Sequence, residues 1–212
     1  MISAVVLIKN EERNIERCLQ SLTFCDEIIV IDDYSTDTTV KKIRNWQFEI
    51  GNKIKIQVYQ KHLNNNFAAQ RNFGIEKARG EWILFLDGDE EISEELKKEI
   101  KKIFDIRYSI LGENVGAFYI KRRDFWWGRE LRYGEIMKVR NKGLIRLVRK
   151  GSGRWVGKVH EKFEIGNSKL KTRSFKNYIN HYPHQTVKEF LKEINFYSTL
   201  RAKELFNQGK KT

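Results

Sequence analysis

The chain has 212 residues, 40% of them hydrophobic and 33% charged, which is enough to bury one well-packed core and too few for two ordinary domains. Its two cysteines, Cys18 and Cys25, belong to no CxxC or Cys/His pattern, so they read as reduced structural thiols in a cytoplasmic setting, not as a disulfide framework or zinc site. No apolar run approaches the roughly 20 residues that cross a bilayer, and MISAVVLIKNEE meets charge too soon for a secretory leader, so the chain is expected to be neither secreted nor threaded through a membrane.

The first half alternates between two periods. ISAVVLI, EIIVI, KIKIQVY and EWILFL are short, β-branched, nearly continuous apolar runs, the pattern of parallel strands covered on both faces. Between them Asn10 is placed to cap a helix with Ile15, Cys18, Leu19 and Leu22 on one face. Ser35 or Thr36 is placed to cap a second, and AAQRNFGIEKARG reads as a third ending at Gly80. This βαβ series predicts an α/β fold with a mainly parallel central sheet flanked by helices. ISEELKKEIKKIF follows as another helix, and Glu90 and Glu91 are read as acids favoured by the dipole at its start.

The character changes near residue 112. Aromatics and glycines become more frequent, AFYIKRR, LIRLVRK and SFKNYINHY read as strands, and a helix is expected from Thr186 to about Asn207, opened by a capping box of Thr186 and Glu189. Charge divides at the same place. Residues 1–116 carry 17 Lys+Arg against 20 Asp+Glu, whereas residues 117–212 carry 24 against 8, a net +16. The basicity belongs to one half.

An open parallel sheet binds ligands beyond the carboxyl ends of its strands. Here the first strand runs into KNEE, the second into DDYSTD and the fourth into DGDEE, so Glu11, Asp32, Asp33, Asp87 and Asp89 converge on one edge. Such acids repel one another unless a cation or well-placed donors offset them, and a hard divalent ion bridging carboxylates to substrate phosphates fits. A dinucleotide fold would need glycines where KNEERN stands, no GxxxxGK[ST] loop exists, and a phosphorelay receiver would carry its acid pair after the first strand.

LIKNEERNIERCLQSL, IVIDDYSTDTT and AAQRNFGIEKARGEWILFLDGDE, in that order and spacing, resemble the nucleotide-sugar domain of family 2 glycosyltransferases with the GT-A fold. KGLIRLVRKGSGRWVGKVHEKFE, followed by INHY and a helix, is similar to the branch that includes lipopolysaccharide core glucosyltransferases. The resemblance implies a single GT-A-like domain over residues 1–212, with a nucleotide-sugar-binding half at 1–112 and a smaller basic acceptor-side half at 113–212. It places Asp87 on the donor ribose and Asp89 on Mg²⁺ or Mn²⁺ at the diphosphate. Asp33, with Asp32 beside it, would reach a nucleobase, usually uracil; Glu11 lies near the nucleoside, and Arg71 faces the nucleoside or the diphosphate. Tyr34 stands where many relatives have glycine.

The chemistry so implied is transfer of a hexose from a UDP-sugar to a saccharide or glycolipid hydroxyl. An inverting displacement needs a carboxylate base, for which Glu161 in VGKVHEKF is the candidate and His160 the rival. His181 is the candidate to complete the metal or diphosphate site. RRDFWWGRELRYG, like Trp155, is read either as an acceptor-binding surface or as core. The basic half predicts peripheral contact with an anionic membrane and a glycolipid partner, and no nucleic acid is expected because no stacking motif accompanies the charge. Two other classes stay in view. A sugar-nucleotide nucleotidyltransferase would need a glycine-rich basic loop after the first strand, and a non-catalytic basic module would not need Asp87, Asp89 and Glu161 intact.

Overall fold

A computed structural model describes residues 1–51, 53–105, 114–134, 136–158, 161–183, 186–207 and 209. Its elements in the first half are β1 (Ile2–Ile8), α1 (Ile15–Ser21), β2 (Glu27–Asp32), α2 (Thr39–Glu49), β3 (Lys55–Gln60), α3 (Phe67–Lys77), β4 (Trp82–Asp87), β5 (Glu90–Ile92) and α4 (Glu94–Asp105). The second half adds β6 (Val115–Trp126), β7 (Arg129–Glu130), α5 (Met137–Lys142), β8 (Leu144–Arg149), β9 (Gly153–Val156), β10 (Lys162–Ile165), β11 (Lys171–His181) and α6 (Val187–Asn207).

The main sheet runs β3-β2-β1-β4-β8-β6-β11-β5, with β7 paired to β6, and β9 and β10 form a separate hairpin. The first four strands are parallel, as expected from the βαβ series. The second half continues the same sheet with mixed direction: β8 is antiparallel to both β4 and β6, β11 is parallel to β6, and β5 is antiparallel to β11.

Strand alternation explains how both faces are filled. Ala4, Val6, Ile28, Val30, Leu84 and Leu86 point into one core with Ile15, Cys18 and Leu19 of α1, Ile43 and Trp46 of α2, and Leu96 and Ile100 of α4. Their neighbours Val5, Leu7, Ile29, Ile31, Ile83 and Phe85 point into the other with Ala68 of α3 and Trp155 and Phe163 of the hairpin. Runs with no polar interruption are therefore what a central strand here requires. α3 lies so close to β1 that a Cβ on Gly74 would sit 2.3 Å from Val5 Cγ1. Cys18 and Cys25 are free and buried, as read.

Several local expectations change. Asn10 caps no helix; it adopts φ 56° and its side-chain oxygen accepts from the Thr36 amide at 2.8 Å, tying the loop after β1 to the loop after β2. α2 starts after Thr38, not at Ser35 or Thr36, because Asp32 takes both the amide and hydroxyl of Ser35. α3 is capped by Asn66, which accepts from Ala69 at 2.9 Å, and its last helical residue is Lys77, short of Gly80. KIKIQVY forms an edge strand, β3, in which Lys55, Val58 and Gln60 are exposed. Glu90 and Glu91 belong to β5, and α4 begins behind Ser93, whose hydroxyl accepts from Leu96 at 3.2 Å. The capping box of α6 forms as expected, with Thr186 and Glu189 bonding each other's amides at 3.2 and 3.1 Å.

Candidate active site

β4 ends at Asp87, and two arginines from different elements meet its carboxylate. Arg71 of α3 donates from Nη2 to Oδ1 at 2.9 Å, and Arg146 of β8 donates to Oδ2 at 2.8 Å. Each arginine then reaches a second acid: Arg71 Nε bonds Glu161 at 2.7 Å, and Arg146 bonds Glu90 at 2.8 Å. Burial pushes the Asp87 carboxyl up, but Arg146 and Arg71 outweigh that and hold it below the ordinary carboxylate range. Glu90, wholly buried, is pushed up by burial even though Arg146 and Arg122 oppose this. The Arg71 guanidinium also lies over aromatic rings, 5.1 Å from Trp155 and 5.8 Å from Phe85.

Asp89 is met by a histidine. His181 ends β11 opposite Asp124 on one side and Glu90 on the other, so three neighbouring strands bring their side chains into one row. Its Nε2 lies 3.2 Å from Asp89 Oδ2, its Nδ1 contacts Asp124, and Arg122 of β6 holds Asp124 at 3.0 Å. Burial lowers the imidazole pKa, but Asp89 and Asp124 raise it to about 9, and His181 in turn keeps Asp89 below its usual range against the effect of burial. Among the described residues no group of three or more His, Cys, Asp or Glu side chains is arranged to hold a metal by itself. Asp89 with His181 does fit a divalent ion whose other positions are filled by phosphate and water: ligands bound cis at about 2.1 Å lie about 3 Å apart, close to the separation seen.

Glu11 comes in from the loop after β1. Its carboxylate accepts from Asn14 at 2.9 Å, and burial followed by the Asp89 charge raises its pKa to about 8. Gly88 is required beneath it, since a Cβ there would stand 2.7 Å from Glu11 Cγ. Of the pair after β2, Asp32 is buried and spent on its own turn, bonding Ser35 and, at 3.5 Å, Gln60. Asp33 instead faces Lys9 at 2.7 Å, the Leu63 amide at 3.0 Å and His62 at 3.5 Å. Burial works against it, yet Lys9 and the Leu63 amide hold its carboxyl below the ordinary range. Tyr34 adopts φ 53°, the backbone region glycine favours, and stacks on His62 with ring centroids 3.9 Å apart.

α6 borders this crevice. Glu189 lies 3.6 Å from Arg13, Phe190 packs on Trp126 at 4.6 Å, and Tyr197 is 6.3 Å from Phe67. Burial and then Asp89 raise Glu193 to about 6, and burial together with Glu193, Asp87 and Asp89 pushes Tyr197 upward.

The structure thus gathers Glu11, Arg71, Asp87, Asp89, Glu161 and His181, with Asp33 at the neighbouring strand end and Asp32 withdrawn beneath it. The rival base His160 lies outside the described residues. Trp155 is core, packed against Phe85 at 5.2 Å and Phe163 at 5.6 Å, and its backbone exchanges two 2.9 Å bonds with the Asn72 side chain. The aromatic stretch divides: Trp126 packs under α6, whereas Trp127 and Tyr133 are exposed. Sequence reading passed over Arg146, Arg122, Asp124 and the true setting of Glu90. The available signal was an arginine inside the apolar strand LIRLVR, since a cation at a buried position implies a buried acid to meet it.

Comparison with known proteins gives the family and the fold. The model of the family described as "Glycosyl transferase family 2" matches residues 3–161. The lipopolysaccharide core biosynthesis glycosyltransferase LpsC of Rhizobium meliloti is 28% identical over 99% of this chain and 73% of its own length. An uncharacterised glycosyltransferase of Rickettsia bellii is 30% identical over 99% of this chain and 69% of its own. Among solved structures, S. aureus TarS in complex with UDP-GlcNAc matches 89% of this chain and 60% of its own with TM-score 0.61 and 19% identity. The mannosyltransferase PcManGT from Pyrobaculum calidifontis, in complex with GDP-Man and Mn²⁺, matches 92% and 64% with TM-score 0.64 and 15% identity. The last two share the fold, which is GT-A, and this chain spans less than two thirds of either.

Proposed function

This chain belongs to glycosyl transferase family 2, and on that premise we propose that it moves a hexose from a UDP-sugar to a hydroxyl of a saccharide or lipid-linked acceptor, with inversion at the anomeric carbon and dependence on Mg²⁺ or Mn²⁺. One observation carries the reading: Arg71 ties Asp87 at 2.9 Å and Glu161 at 2.7 Å, so a carboxylate from the acceptor half stands beside the acidic end of β4.

In this reading Asp33 reads the nucleobase and Asp87 the ribose, while Asp89 and His181 are the residues that would hold a divalent ion. A bound divalent ion would supply positive charge to the departing diphosphate. Glu161 takes the proton of the acceptor hydroxyl as its oxygen bonds to the anomeric carbon and the bond from that carbon to the diphosphate breaks, releasing UDP. Arg71 holds Glu161 through one oxygen at 2.7 Å and thereby aims the carboxylate. The fold does not choose the base, since one structural neighbour is bound to UDP-GlcNAc and the other to GDP-Man. Uracil here rests on the family resemblance at Asp33. The relative named for lipopolysaccharide core biosynthesis favours a glycolipid acceptor, which would be met at a membrane surface. Exposed Trp127, Leu191 and Ile194 in the basic half offer a surface for that contact. Among the described residues no helix is long and apolar enough to cross a membrane.

The test is a panel of thermal shifts. UDP should stabilise the protein more than GDP, and only with Mn²⁺ or Mg²⁺ present, because a ligand that binds the native state alone raises stability with its concentration. Equal stabilisation in excess chelator would remove the metal, and a preference for GDP would remove uracil.

A further inference from the structure

Nothing in the chemistry above uses Asp124, which is 3% exposed and lies on β6, separated from β4 by β8. It is placed by register. β6 and β11 run parallel with His181 beside Asp124, and both side chains stand on the same face of the sheet. One Asp124 oxygen contacts His181 Nδ1 and accepts from Arg122 Nη2 at 3.0 Å. Arg122 and Asp124 are two residues apart on one strand, so the pleat puts them on one side, and Arg122 also reaches Glu90 at 3.5 Å. The other Asp124 oxygen is buried without a hydrogen-bond partner. The imidazole is therefore gripped at Nδ1 while Nε2 points 3.2 Å from Asp89.

We infer that Asp124 is a positioning residue for a divalent cation: by accepting the Nδ1 proton of His181 it fixes the tautomer and ring plane that present the Nε2 lone pair, beside Asp89, to the ion. The inference rests on the proposal that Asp89 and His181 hold that ion. Its physical basis is general. A neutral imidazole has one ring nitrogen to donate and one to ligate, and the partner of the first decides which is which. A carboxylate fixed by an arginine is a stronger orienting acceptor than solvent, and Arg122 supplies that fixing.

The experiment measures Mn²⁺ binding to the full chain with UDP present, following free Mn²⁺ by its paramagnetic resonance signal. Asp124→Asn, of nearly the same shape, should weaken Mn²⁺ about 10- to 100-fold, and Asp124→Glu should recover part of that loss. His181→Ala should weaken it at least as much and abolish nitrogen modulation in the electron spin echo of the bound ion. Wild-type Mn²⁺ binding unaffected by His181→Ala would overturn the ligand assignment and this inference together. Loss in His181→Ala with wild-type affinity and nitrogen coupling in Asp124→Asn would overturn the role of Asp124 alone. If Asp124→Asn does not fold, the wild-type protein still decides: in its Mg²⁺–UDP complex the His181 ring should carry its proton on Nδ1, and nitrogen-resolved magnetic resonance showing it on Nε2 would reject the inference.

Discussion

The two halves of the sheet make opposite contributions to one crevice. The parallel half supplies acids at its strand ends, Glu11, Asp87 and Asp89; the mixed half supplies Arg146 and His181 to meet Asp87 and Asp89, together with its own buried pairing of Glu90 with Arg122 and Arg146. The charge split of the chain, with 24 Lys+Arg against 8 Asp+Glu after residue 116, is in part the other side of that arrangement. An acidic strand end therefore does not by itself demand a metal. Asp87 and Glu90 are met from within the protein by arginines, whereas Asp89 is met by His181 and Glu11 by the Asn14 side-chain amide, so an added cation would relieve repulsion at the latter pair.

The sharpest way to break this comparison is at Asp89. Asp89→Asn keeps the shape and removes the charge that no arginine contacts at hydrogen-bond distance among the described residues; turnover of a UDP-sugar should fall by orders of magnitude while the folded circular-dichroism spectrum persists. Activity that survives both this substitution and excess chelator would place the cation requirement elsewhere.

Glu161 tests the contribution of the acceptor half to the chemistry. Glu161→Gln should lower turnover about 10²- to 10⁴-fold with little change in Mn²⁺-dependent UDP binding, because a general base acts in the transition state. A loss confined to donor affinity would recast Glu161 as a partner that only orders Arg71.

The internal arginines should matter for folding in proportion to their burial. Arg146→Gln removes the buried counter-charge that Asp87 and Glu90 share, leaving Arg71 on the first and Arg122 on the second, and should cost about 3 kcal/mol in denaturant unfolding. Arg149→Gln, at the more exposed pair with Glu81, should cost no more than about 1 kcal/mol. Equal effects would mean that Arg146 is not the counter-charge its geometry indicates.

The smallest expected effect is a slope with pH. Glu11 has its folded pKa raised to about 8, so the folded state holds a proton that the unfolded chain releases near the ordinary glutamate value. Stability from this group is full below that ordinary value and is lost as pH rises toward about 8. Thermal melts from pH 5 to 8 should show that decline, and Glu11→Gln should flatten it.

Much of this architecture was legible along the chain because its signals are local. Uninterrupted apolar runs such as WILFL mark strands buried on both faces, and Ile15, Cys18 and Leu19 repeat with the helical period. A glycine between two acids at a strand end marks a candidate site. Glu11, Asp33, Asp87 and Asp89 follow from those signals and the topology rule, and Arg71, Glu161 and His181 from family resemblance. Local signals failed where an alternative partner was close by in space. Asn10 was free to cap a helix, but the neighbouring strand-end loop offered Thr36, and Glu90 had the sequence of a helix start, but β11 offered it a strand to pair with.

What the sequence by itself determined, then, is which segments are strands and helices and which strand ends carry acid, since both depend on residues a few positions apart. The state of those acids was set instead by contacts between distant segments. Arg146 is 59 residues from Asp87 and His181 57 from Asp124. Their meeting depends on β8, β6 and β11 extending the same sheet in mixed direction, and strand register, which no local period encodes across such separations, sets which side chains share a row.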